Sequence, residues 1–125
     1  MINDDIAADT FLEVVEEISS VELQIKLWLN IENDTGLISS FEDLMDRVDS
    51  EDVRYVVNQK VENDELKSRL TELLAMLSDY KVPKLYSSFK NDVYVVADDK
   101  WKIIRDFAKG IREKYEFDLQ KSNLV

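Results

Sequence analysis

Between Thr10 and Ile31 the apolar residues Phe11, Val14, Ile18, Val21, Ile25 and Trp28 recur at alternating spacings of three and four. That spacing places them on one stripe of an α-helix and is incompatible with a strand, whose faces repeat every two residues. Leu12, Val15, Leu27 and Leu29 widen the stripe, so this face asks for a packed interior and not a narrow coiled-coil seam. Glu13, Glu16, Glu17 and Glu22 fall on the opposite side, with Lys26 as its one cation. Thr10 and Glu13 have capping-box spacing, so the helix is expected to start at Thr10 and run to Ile31. The chain organises itself around this element.

Glu32-Asn33-Asp34-Thr35-Gly36 is the clearest turn, with Gly36 suited to a positive φ. Ser39 with Glu42 forms a second capping box, opening a short helix with Phe41, Leu44, Met45 and Val48 inward. Ser50 caps the next segment, whose stripe is Val53, Val56, Val57 and Val61. The β-branched run over 53–57 also suits a strand, but cap and spacing favour helix. A second long helix starts at Asn63 or Asp64 and carries Leu66, Leu70, Leu73, Leu77 and Tyr80, with Glu65 and Arg69 spaced as a supporting pair. Val82-Pro83 ends it.

Leu85, Tyr86 and Phe89 suit an amphipathic turn or packed loop, and Val93-Tyr94-Val95-Val96 is the best strand candidate. The last long helix opens near Asp98 or Asp99 with Trp101, Ile104, Ala108, Ile111 and Tyr115 inward. Lys100, Lys102, Lys109, Arg112 and Lys114 face out. Gly110, costly inside a helix, predicts a close backbone contact or a bend. The expected fold is all-α: an irregular bundle of about five helices, three long (10–31, 64–80 and 99–116) and two short. All 125 residues read as one domain, with 1–9 and 118–125 frayed.

Composition narrows the chemistry. Without cysteine there are no disulfides, thiolate metal sites or cysteine nucleophiles; without histidine, no Ser-His-Asp triad, imidazole zinc site or histidine switch. The opening nine residues have no basic region and no apolar run, and no segment is long and apolar enough to cross a membrane, so a cytoplasmic protein is expected. The net charge of −11 disfavours direct binding to nucleic acid. It is unevenly divided: Met1 to Asp79 holds 20 acids and 6 bases, Tyr80 to Val125 holds 7 and 10.

Two cation-binding patterns can be compared with the sequence. An EF-hand register with Gly36 at its sixth position puts Asn33, Thr35 and Glu42 at ligand positions. Its first position is Ile31, which offers no side-chain oxygen, so a plain helix–turn–helix is the better reading. Glu13, Glu16 and Glu17 on the first helix, with Asp43 and Asp46 on the second, resemble the acidic pairs of the all-helical nucleotide pyrophosphohydrolases. The resemblance covers the front of the chain, with Asp43 standing where that family normally has glutamate. It implies facing acids holding magnesium against phosphates.

The densest acidic cluster is Glu42, Asp43, Asp46, Asp49, Glu51 and Asp52, six carboxylates in eleven residues, with Arg47 among them. Such a cluster repels itself, and a cationic partner converts that repulsion into attraction and fast association. In this the chain resembles, in character, immunity proteins that neutralise cationic nuclease toxins and viral decoys that mimic DNA. The clustering of the acids among apolar and aromatic neighbours favours the first, since a DNA mimic spreads its carboxylates at phosphate-like intervals. The expected function is stoichiometric inhibition of a basic protein, a toxin or nuclease, through Phe41, Glu42, Asp43, Asp46, Asp49, Glu51, Asp52 and Tyr55. No catalytic residue, metal or cofactor is expected. The magnesium-dependent enzyme is the alternative and the DNA mimic a second.

Overall fold

The computed structural model describes residues 2–83 and 92–125. Seven α-helices stand among these residues, where about five were expected: α1 Asp4–Ser19, α2 Val21–Trp28, α3 Phe41–Val48, α4 Glu51–Tyr55, α5 Asp64–Asp79, α6 Asp92–Ala97 and α7 Asp99–Lys114. A π-helical turn, Val56–Lys60, continues α4, and a 3-10 turn, Lys121–Asn123, lies near the C-terminus. The all-α expectation holds. α1 is the central element, packing against α7, α4, α3 and α2, while α5 packs on α7 and α2 on α6.

The expected helix over 10–31 is two helices, and neither starts at Thr10. α1 begins at Asp4, with the Asn3 side chain accepting the Ile6 amide at 3.1 Å, so Thr10 lies mid-helix and caps nothing. Residues 4–9 are not frayed: Ala7 and Ala8 are fully buried. The break falls at Ser20, whose backbone is extended (φ −118°, ψ 108°) and whose Oγ accepts the Leu23 amide at 3.1 Å. A serine that bonds its own downstream amide offers the chain an alternative to continuing the helix. Beyond the break the apolar stripe loses its register. Val21 turns to solvent and Ile25 is half-buried, while Gln24 is fully enclosed.

The other elements follow local signals more closely. Ser50 and Asn63 cap α4 and α5 as expected, accepting the amides of Val53 and Leu66. α3 is capped by Ser40, not Ser39, leaving the Ser39 hydroxyl free for longer-range bonds. Val53, Val56, Val57 and Val61 are all buried; the first three stand on a helical backbone, and Val61 is extended just past the π-helical turn. The strand candidate at 93–96 is α6: no strand exists among the described residues to pair with it, and only Val95 is buried. The stripe of α7 is buried throughout, from Trp101 to Tyr115. The turn proposed on Leu85, Tyr86 and Phe89 lies outside the described residues.

Three smaller expectations are corrected. Glu65 does not pair with Arg69; it accepts from Lys114 Nζ at 2.6 Å and from the Tyr115 hydroxyl, while Arg69 meets Glu72 at 3.5 Å. Burial of the α5–α7 seam brings Lys114 to Glu65, and an interhelical partner displaces the local one. Gly110 has open space where a Cβ would lie, so neither close contact nor tight packing explains it. The C-terminal residues are also held: Leu124 is buried and Lys121 lies 3.0 Å from both Asp5 and Asp9 of α1.

Candidate binding surface

The predicted surface residues divide between two places. α3 is strongly amphipathic: Leu44 and Val48 are buried, while Glu42, Asp43 and Asp46 are exposed on its outer side. Asp49, just past its end, has a side chain 90% exposed and holds Arg54 at 3.3 Å. Glu51 is exposed and Asp52 half-exposed in the first turn of α4, where the helix dipole favours them. The six acids therefore run from the first turn of α3, where Glu42 and Asp43 sit, to the corner between α3 and α4, where Asp49, Glu51 and Asp52 sit. Among the described residues no cation lies within ion-pair distance of Glu42, Asp46, Glu51 or Asp52.

The two aromatic residues of the predicted set do not project from this corner. Phe41 is half-buried in an aromatic cluster, with ring centroids 6.0 Å from Trp28, 5.7 Å from Tyr80 and 5.4 Å from Trp101. Its amide donates to Asp92 at 3.2 Å. Tyr55 faces the start of α1, donating to Asp4 at 2.6 Å beside Lys60. The Asp4 bond and burial raise the Tyr55 phenol, while Lys60 and then Tyr55 hold the Asp4 carboxyl below its ordinary range. A groove of about 450 Å³, of mixed polar and apolar lining, does run beside the acidic corner, with Phe41, Met45, Leu74 and Leu77 in its wall together with Asp46, Asp49 and Arg54.

Behind α3 lies a polar network that periodicity does not show. The Glu17 side chain is only 6% exposed; its carboxylate accepts from Trp28 Nε1, Ser39 Oγ and Arg47, each at 2.9 Å. Arg47 also reaches Asp43 at 3.3 Å. Ser39 Oγ accepts from Arg47 at 3.1 Å and gives its one proton to Glu17 or to Asp43, 3.0 Å away. The Arg47 Nε–H is buried and bonded to nothing among the described residues. Arg47 had one local signal, as the single cation in the acidic run four residues after Asp43; for Glu17 there was none.

A second buried set joins α1, α2 and α7. Gln24 donates to the carbonyls of Glu17 and Ile18 at 2.8 and 2.9 Å, the groups left free where α1 stops. Its oxygen accepts from Trp101 Nε1 at 3.1 Å and Arg105 at 3.2 Å. Burial draws the Arg105 guanidinium below its ordinary value, and burial with the Asp98 bond pushes the Tyr80 phenol well above its own.

The acids of the pyrophosphohydrolase resemblance are partly brought together. Glu13, Glu16, Glu17 and Asp43 line one cleft of about 340 Å³ with Arg47, Leu23, Leu27, Leu37 and Ile38; Asp46 instead lines the α3–α5 groove. Arg47 bridges Glu17 and Asp43, in the place a divalent ion between those two would need. Among the described residues no three acidic side chains are grouped closely enough to hold a metal. The loop carrying the calcium comparison keeps its oxygens for itself, with Asn33 Oδ1 accepting from the Thr35 amide at 3.1 Å. No described helix is long and apolar enough to cross a membrane. No family model, curated protein or solved structure matches this chain.

Proposed function

We propose that this chain is an acidic inhibitory binding protein. In this reading it neutralises a basic partner of the nuclease-toxin type by covering the surface that partner uses for nucleic acid. The observation that supports the reading is the α3–α4 corner. Six carboxylates lie within eleven residues, four of them without an internal cation among the described residues, beside a groove that Met45, Leu74 and Leu77 help to line. A cationic surface relieves that repulsion, and the field of the cluster accelerates encounter.

The test is charge reversal in the corner, with the partner captured from the native cell by pull-down. Asp46→Lys/Asp49→Lys should leave the fold intact, since exposed pairs such as Asp49–Arg54 contribute under about 1 kcal/mol. Association should slow markedly at low salt, and the difference should shrink as salt rises. Unchanged affinity at low salt would place the interface elsewhere.

A second reading, a magnesium-dependent nucleotide pyrophosphohydrolase-like enzyme, draws on Glu13, Glu16, Glu17 and Asp43 sharing one cleft. Steady pyrophosphate release that requires magnesium and vanishes in a folded Glu16→Gln variant would establish it over the first.

A further inference from the structure

The acidic corner explains attraction, but the apolar residues of the groove beside it are not projecting ones, and Phe41 and Tyr55 are both engaged within the chain. An anchor is present on the other side of α3. The loop between α2 and α3 holds Leu37 66% and Ile38 77% exposed, beside the cleft whose wall includes Leu23 and Leu27. The loop is held in place from within: Asn33 Nδ2 donates to the Leu37 carbonyl at 2.6 Å, and the Ser39 amide donates to the Leu27 carbonyl at 3.0 Å. The backbone that displays the aliphatic pair is therefore tied down before binding, which lowers the ordering cost.

Charge defines what fits. Glu13, Glu16 and Asp43 stand around this apolar surface, and Arg47 is already taken by Glu17 and Asp43. Asp43 belongs both to the acidic run on α3 and to the lining of the cleft. We propose that the Leu37–Ile38 cleft is the anchoring half of the interface, and that it takes an aliphatic side chain flanked by lysine or arginine on the basic partner. This rests on the reading of the chain as a binder of a basic protein. It divides the labour: α3 carboxylates govern arrival, and the aliphatic contact governs departure.

Fluorescence anisotropy with two labelled peptides tests it. One is a short peptide with a leucine pair between lysines; the other has serines in place of the leucines. The leucine peptide should bind the unaltered chain at low salt. Leu37→Ser/Ile38→Ser should bind it about tenfold more weakly, with the thermal midpoint unchanged because both side chains are exposed. The serine peptide should not distinguish the two proteins. If the leucine peptide binds both proteins equally, yet still responds to salt and to Asp46→Lys/Asp49→Lys, the anchor is refuted and the acidic reading stands. If neither peptide binds at low salt, both are refuted.

Discussion

Gln24 and Trp101 meet across 77 positions of sequence, the indole N–H donating to the Gln24 amide oxygen at 3.1 Å in a fully buried setting. The same amide holds the free carbonyls at the end of α1 and accepts from Arg105. One side chain thus closes the α1–α2 break and ties it to α7. A buried polar group of this kind contributes little when every bond is made, and its loss leaves several groups unpaired.

Gln24→Leu keeps most of the volume and removes every bond. Trp101 and two carbonyls would lose their partner and Arg105 would keep only the Val96 carbonyl, so we expect a loss of at least about 3 kcal/mol. Urea denaturation measures this; a loss under about 1 kcal/mol would mean that these groups find other partners.

Glu17 and Arg47 should behave as a coupled pair. Arg47→Met leaves a carboxylate buried beside only Trp28 and Ser39, and should cost about 3 kcal/mol. Adding Glu17→Gln removes that stranded charge and should recover part of the loss. A double-mutant cycle should give a coupling of roughly 1–3 kcal/mol. Strict additivity would show that the 2.9 Å contact contributes nothing.

Gly110 lies within α7 with open space where a Cβ would point. Gly110→Ala removes backbone freedom from the unfolded chain and should stabilise the fold by about 1 kcal/mol, raising the thermal midpoint by a few degrees. A lowered midpoint would mean that the glycine serves a purpose its surroundings do not reveal.

Asp4 and Asp92 should show opposite pH signatures. Lys60 and Tyr55 hold the Asp4 carboxyl down, so its contribution is present above the unfolded value, about pH 4, and is lost as pH falls through the folded one. Burial pushes Asp92 up, partly offset by the Phe41 amide. Its ionised form therefore costs stability at neutral pH, and the cost fades as pH falls from the raised folded value to the unfolded one, below which it is gone. At neutral pH, Asp4→Asn should lower the thermal midpoint and Asp92→Asn should raise it, both differences shrinking in acid. Shifts of the same sign in both variants would overturn the assignment.

The sequence by itself determined the helical class and the inner faces of α5 and α7. Leu66 to Leu77 and Trp101 to Tyr115 repeat at helical spacing, and Asn63 caps where a cap is needed; these signals are local, and in these two helices the packing agrees with them. It also marked the acidic run at 42–52, since charge density requires no fold to be read. Only the tertiary structure decided the break at Ser20. A long stripe is equally consistent with one helix or two, and the choice depends on whether Gln24 finds the ends of α1 and the Trp101 indole. The same holds at 93–96, where β-branched residues favour a strand only if another strand is there to pair with them. Glu17, Gln24 and Arg105 were illegible for one reason. Burying a polar side chain is tolerable only when its partners are in place, and those partners lie on other helices.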